Sequence, residues 1–212
     1  AKLQDQGNDE DVRHFIGEGE RQYLTGLKLG GRRIMILVDT SASMLSDSIV
    51  NVIRRRNMSD AVKRNAEKWR RAIRTTEWLV AQLPKESRYQ IYTFNTVAGA
   101  VNGDDGIWRD TADGAGINQT IKALGSVVPA GGTSLINAFR AIGDFKNPPD
   151  NLFLITDGLP TQGQKPPSGS TISGRERVKL FSKAVGELPR SIPVNVLLFP
   201  MEGDPVAAAS FW

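Results

Sequence analysis

The sequence predicts an α/β protein with a doubly wound, Rossmann-like and mostly parallel sheet, helices on both faces and one antiparallel edge strand. Two observations lead to this fold class. Residues Ile34–Val38 are five large apolar residues in succession, which is typical of a strand buried on both faces of a parallel sheet. A second such run lies at Leu152–Ile155, and amphipathic segments of helix length separate the apolar runs. Repeated strand–helix units of this kind form α/β folds.

The first half of the chain is predicted to be mostly helical around this first strand. Residues 9–29 carry apolar side chains at intervals of three and four positions, which predicts an amphipathic helix that Gly30-Gly31 end. An insert over 45–59 contains a short helix near 49–53. A long helix over 60–83 follows, and Pro84 ends it. Its predicted buried stripe is Ala61, Val62, Ala66, Trp69, Ala72, Ile73, Thr76 and Leu79.

The second half alternates strands and helices. The predicted elements are a strand at 88–95, an antiparallel edge hairpin from 97–101 and 107–108, helices at 116–124 and 134–142, a strand at 151–156, a helix at 175–188, a strand at 193–199 and a helix at 205–212 with Asp204 as its N-cap. A long loop rich in proline, glycine and polar residues occupies 159–174, and loops of this length are usually functional or mobile.

Composition bounds the function. The 212 residues are 40% hydrophobic, enough for one α/β domain with a full core, and no apolar window is long enough to span a membrane. Without cysteine, and with His14 as the lone histidine, zinc is not expected.

The net charge of +4 comes from basic residues over 54–74, which we interpret as a solvated helix face. Nucleic-acid binding is not expected, because no aromatic stacking platform accompanies the charge. The composition does not exclude a tether or targeting segment upstream of Ala1.

Polar side chains follow the predicted strands at three places. Asp39, Ser41 and Ser43 come directly after the first strand, Thr133 follows a glycine pair, and Asp157 ends the strand at 151–156. In open parallel sheets ligands bind beyond the carboxyl ends of the strands. We therefore expect these five side chains to lie at the functional edge of the sheet.

In this order the three segments resemble the metal-ion-dependent adhesion site of the von Willebrand factor A domain family, which has the integrin I-domain fold. The resemblance covers residues 32–212, and residues 1–31 would be a helical extension. Such a domain normally carries one more strand and helix after residue 212. Either the sheet here has five strands, or the chain ends before those elements.

The five side chains would offer only oxygen atoms to a metal. Such ligands suit hard cations, and two carboxylates with neutral hydroxyls favour Mg²⁺ or Mn²⁺ over a calcium cage. The resemblance implies that Ser41, Ser43 and Thr133 bind the ion directly, while Asp39 and Asp157 act directly or through water. An Asp or Glu of a protein partner would take the open position, so the chain would be a metal-dependent protein-interaction module.

Other interpretations of these residues stay open. The two aspartates could merely cap turns at a site without metal, in a scaffold or regulatory module of a membrane or ATPase-associated complex. An enzyme is not expected. Haloacid-dehalogenase-like phosphatases need a second Asp where Ser41 stands, and neither serine has the Gly-x-Ser-x-Gly setting of a hydrolase. Thr133 follows two glycines but lacks the lysine of a nucleotide-binding P-loop.

Overall fold

The computed structural model describes residues 30–167 and 172–211. Within them lies one sheet of six strands. It is mostly parallel, as the sequence predicts for its fold class. The strands are β1 (Arg33–Asp39), β2 (Arg88–Phe94), β3 (Ala98–Ala100), β4 (Arg109–Asp110), β5 (Asn151–Thr156) and β6 (Val194–Leu198). Their spatial order is β3-β2-β1-β5-β6, and β4 pairs with β2 beside β3. The pairs β1–β2, β1–β5 and β5–β6 are parallel.

Helices connect and cover the strands. They are α1 (Ile49–Arg55), α2 (Asp60–Arg64), α3 (Glu67–Ala81), α4 (Gly114–Ser126), α5 (Leu135–Arg140), α6 (Gly174–Val185) and α7 (Pro205–Phe211), with short 3-10 helices at Ala42–Leu45 and Ala141–Asp144. None of the helices in the described ranges is long and apolar enough to cross a membrane. The predicted helix over 9–29 and the end of the last helix at Trp212 lie outside those ranges.

The central strand β1 is buried on both faces, as its unbroken apolar run predicts. Successive strand side chains point to opposite faces, so Ile36 joins a cluster with Trp69 of α3, whereas Leu37 joins a cluster with Phe139 of α5. Two apolar cores therefore enclose the sheet, one on each side.

The predicted helix over 60–83 is in fact two helices. The helix is interrupted at Asn65 and Ala66. Ala66 adopts a non-helical ψ of 131°, and the Asn65 side chain donates to the Ala61 carbonyl at 3.0 Å. Asparagine competes with helical hydrogen bonding in this way. The predicted buried stripe is correct from Ala66 onward, but Ala61 and Val62 are exposed because α2 turns away from the core.

The predicted edge hairpin is wrong in its pairing. Residues 98–100 and 109–110 each run antiparallel to β2 and lie end to end along it, rather than pairing with each other. The Gln90 side chain explains the gap between them, since its amide donates to the carbonyls of Ile107 at 2.7 Å and Asp104 at 3.3 Å. The turn is thus held beside β2 by a side chain, and the sheet has six strands rather than five.

Candidate metal centre

Asp39 and Asp157 lie at the topological switch point of the sheet, between β1 and β5. From β1 the chain passes to β2 on one side and later returns to β5 on the other side, so the carboxyl ends of β1 and β5 flank a crevice. Asp39 is the last residue of β1, and Asp157 directly follows β5. Both carboxylates are buried at this edge.

Four of the five predicted residues form a connected chain of hydrogen bonds. The Asp39 carboxylate accepts from the Ser41 backbone N–H at 2.8 Å. The hydroxyls of Ser41 and Ser43 lie 2.9 Å apart, and Ser43 donates to Asp157 Oδ1 at 3.0 Å. The second Asp39 oxygen accepts from the Thr156 hydroxyl at 2.7 Å. Sequence reasoning missed Thr156, although its position directly before Asp157 placed it at the same strand end.

The environment of Asp39 favours its protonated form. Burial, and then the neighbouring negative charge of Asp157, raise the pKa of Asp39 from 3.8 to about 7, against the lowering effect of hydrogen bonds from Ser41 and Thr156. A bound cation would reverse this balance, because it would favour the ionised carboxylate.

Thr133 reaches the same region from a separate loop. That loop is paired with the segment after β1, since the Ala42 N–H donates to the Gly131 carbonyl at 3.0 Å. Thr133 itself is buried, and its N–H donates to the Thr161 hydroxyl at 2.9 Å. A Cβ on Gly132 would lie 2.8 Å from that hydroxyl, so glycine permits the close approach. Among the described residues, no hydrogen bond joins the Thr133 side chain to the other four.

A cleft of about 740 Å³ opens beside these residues. Ser43 and Thr133 line it, together with Ile49 at the start of α1. Gln162 and Ile172, on either side of the undescribed residues 168–171, line it as well. The insert over 45–59 and the loop over 159–174 therefore border the candidate site, as their departure points from the strands predict.

A lysine that the sequence analysis placed on a solvated face lies inside this site. Lys68, in the first turn of α3, is only 1% exposed, and its ammonium lies 2.8 Å from Asp157 Oδ2. The signal was present in the sequence, because Lys68 stands four and eight residues before Ala72 and Thr76 of the buried stripe. The interpretation of residues 54–74 as a wholly solvated basic face is therefore wrong at Lys68.

The donor atoms at this edge suit a hard divalent cation. Two carboxylates and three hydroxyls supply oxygen alone, the ligand type of Mg²⁺ and Mn²⁺. In the described part of the chain, no three His, Cys, Asp or Glu side chains cluster to hold a metal, so the hydroxyls would have to complete the coordination. The Lys68 ammonium bonded to Asp157 opposes a cation here, as does the proton that Asp39 favours without metal.

Comparison with known proteins supports the fold assignment. No protein-family model matches the chain, and no curated protein matches it. Among solved structures, a von Willebrand factor type A protein from Catenulispora acidiphila aligns with a TM-score of 0.53 and 16% identity, covering 79% of this chain and 33% of the other. The chain thus spans about a third of that protein. The fold is of the von Willebrand factor A type.

Two further structures align more weakly. The conserved hypothetical protein BatB from Bacteroides thetaiotaomicron gives a TM-score of 0.44 at 20% identity, covering 82% of this chain and 73% of the other. An aerotolerance-related membrane protein from Bacteroides fragilis gives a TM-score of 0.44 at 19% identity, covering 82% and 74%. Their sequences differ too much from this chain to carry residue roles across.

Proposed function

We propose that this chain is a protein-interaction module that holds Mg²⁺ or Mn²⁺ through Asp39, Ser41, Ser43, Thr133 and Asp157, and presents the ion to an Asp or Glu of a protein partner. The observation that carries the proposal is the hydrogen-bonded chain from Asp39 through the two serines to Asp157 at the carboxyl edge of the sheet. Three separate segments supply these oxygens beside one open cleft.

The residues of the site would divide the work. The ion would supply positive charge to which a partner carboxylate can bind. Asp39 and Asp157 would supply the negative charge, and the hydroxyls of Ser41, Ser43 and Thr133 neutral ligands. Thr156 and the Ser41 N–H orient the Asp39 carboxylate. We propose no catalytic role for the module. In particular, Ser41 stands where a haloacid-dehalogenase-like phosphatase needs a second acid.

Metal uptake is tested first. Calorimetric titration with MnCl₂ should detect one site in the native chain and a large loss of affinity in Asp39→Asn. The asparagine oxygen can still accept from the Ser41 N–H, and its NH₂ group can donate to the Thr156 hydroxyl. Glu86→Gln is the matched control, because Glu86 is an exposed carboxylate before β2 at the opposite edge of the sheet. Equal Mn²⁺ affinity in all three proteins would contradict the proposal.

Partner binding is tested next. A pull-down from the source cell, with and without chelator, should retain the partner only when metal is present, and the Asp39→Asn variant should lose it. The second candidate function is a metal-independent scaffold, which is favoured by the ammonium of Lys68 on Asp157. In that case chelator and the variant would leave the retained partner unchanged.

A further inference from the structure

Lys68 forms hydrogen bonds with several segments of the candidate site in addition to its ion pair with Asp157. Its ammonium donates to the Ser43 carbonyl at 3.2 Å, the Ser46 carbonyl at 3.3 Å and Asp157 Oδ2 at 2.8 Å. The Met201 sulfur lies 3.2 Å away, and the Asp47 carboxylate lies 3.9 Å away at the rim. One buried side chain therefore joins the loop after β1, the start of the insert, the end of β5 and the loop after β6.

The break between α2 and α3 places Lys68 at this point. Because α3 begins at Glu67, Lys68 lies in its first turn, one turn before Ala72, with its side chain directed into the crevice instead of solvent. A lysine buried to this degree is costly unless its ammonium is paired and hydrogen-bonded. The oxygens that compensate the ammonium belong to the segments that would surround a metal.

We infer that Lys68 is an internal cation of the site, which holds the Ser43–Ser46 turn and Asp157 in position without metal and weakens the affinity for a divalent ion. This inference rests on the proposed function, since it concerns the same five ligands. It assigns Lys68 as a positioning residue, and it predicts that the native chain binds Mg²⁺ or Mn²⁺ more weakly than the same site without the ammonium.

Electrostatics indicates how much the Lys68 ammonium should weaken Mn²⁺ binding. The ammonium is bonded to Asp157, which is one of the proposed ligands. Its positive charge would therefore repel a divalent ion held by the same carboxylate. Removing the ammonium also frees Asp157 Oδ2 for the ion. We therefore expect the Mn²⁺ dissociation constant to fall by a factor of about ten or more.

The test is calorimetric titration of MnCl₂ into the native chain, Lys68→Met and Lys68→Gln. Glutamine keeps a donor for Asp157 without the charge, so it guards against misfolding of the methionine variant. Lys63→Met is the matched control, because Lys63 lines the same cleft but pairs with Asp60. Both Lys68 variants should bind Mn²⁺ at least tenfold more tightly than the native chain, and Lys63→Met should change the affinity far less.

Thermal unfolding gives a second readout that does not depend on a partner. With chelator, Lys68→Met should unfold at lower temperature than the native chain, because the buried Asp157 carboxylate loses its ion pair. Added Mn²⁺ should restore the lost stability in that variant. The double variant Lys68→Met/Asp157→Asn should regain stability without Mn²⁺ and should not respond to it.

The outcomes separate this inference from the proposed function. Native and Lys68 variants that bind Mn²⁺ with equal affinity would overturn the inference and leave the metal-dependent function standing. Binding by the Lys68 variants alone would support the inference and count against metal use by the native chain. No Mn²⁺ binding by any of the proteins, each folded by circular dichroism, would overturn both.

Discussion

Asp39 carries the strongest electrostatic perturbation of the site. It is fully buried at the end of β1, and its two oxygens accept hydrogen bonds from Ser41 and Thr156. These bonds stabilise the ionised form only in part, because burial and the charge of Asp157 together raise its pKa to about 7. Without metal, the folded protein therefore retains a proton on Asp39 at pH values where the unfolded chain has lost it.

The stability of the metal-free protein should depend on this proton. The pKa of Asp39 is about 7 in the folded protein, and its ordinary value is 3.8. The stability that depends on protonated Asp39 is therefore fully present below about pH 4 and is lost as the pH rises to 7. Between pH 5 and pH 7.5 the native chain should lose roughly 2–3 kcal/mol of unfolding free energy relative to Asp39→Asn. Urea denaturation with chelator at both pH values measures the difference.

Asp39→Asn is a suitable reference for this experiment, because its side chain is neutral at every pH and similar in shape. Groups far from the site titrate equally in both proteins, so the difference between their pH profiles reports Asp39 together with its interaction with Asp157. Parallel profiles for the two proteins would show that Asp39 is ionised in the fold across the whole range.

At the level of elements, the turn between β3 and β4 is fitted against the 3-10 helix Ala141–Asp144. The Tyr92 hydroxyl joins the two, since it accepts from the Gly106 N–H at 2.7 Å and donates to Asp144 at 3.2 Å. Burial raises the pKa of Tyr92, so the hydroxyl stays protonated. Trp108 stacks on Phe145 beyond the turn, with ring centroids 4.3 Å apart.

Two glycines of this turn form a matched pair for mutation. Gly103 and Gly106 both have positive φ, 75° and 73°. A Cβ at Gly103 would meet nothing, whereas a Cβ at Gly106 would collide with the Asp144 carbonyl. Gly103→Ala should cost about 1 kcal/mol of unfolding free energy from the left-handed backbone alone. Gly106→Ala should cost an additional 1–3 kcal/mol, roughly the penalty for overpacking.

Chemical denaturation of the two glycine variants beside the native chain measures these costs. Both substitutions remove the same flexibility from the unfolded chain, so the difference between them reports the collision with Asp144. Equal costs would mean that the turn can move away from the 3-10 helix without loss.

The whole molecule is organised by the two cores on either side of the sheet. The residues leading into β1 are held by Asp150, directly before β5, and by Asn151, the first residue of β5. The Arg32 and Arg33 N–H groups both donate to the Asp150 carboxylate at 3.0 Å, and Asn151 donates to the Gly30 carbonyl at 2.6 Å. The segment that leads into β1 is thus anchored at the start of β5.

A chain beginning at residue 30 should fold like the full chain. If residues 1–31 are an extension and not part of the core, the shortened chain should show one cooperative thermal transition within about 3 °C of the full chain, a shift that corresponds to about 1 kcal/mol at this size. Differential scanning calorimetry of the two chains compares them. A broad transition, or a loss of near-ultraviolet circular dichroism, would show that the first residues complete the core.

The positions of most elements followed from the sequence, because apolar runs and helical periodicity are local signals. β1, β2, β5 and β6 lie where the apolar runs predict them, and α4 and α6 where the helical pattern does. The break in the helix over 60–83 was missed because the apolar pattern continues across Asn65. The edge pairing was missed because it depends on the Gln90 side chain, which makes its bonds only once the sheet has formed.

The features of the candidate site also fall into those that the sequence predicts and those that it does not. The sequence by itself determined which residues leave the strand ends, and therefore that Asp39, the two serines and Asp157 would share one edge of a parallel sheet. Only the tertiary structure decided that the Lys68 ammonium bonds to Asp157 and that Asp39 favours its proton. Both depend on burial and on charges brought together from distant segments, and the spacing of residues along the chain contains no direct measure of either.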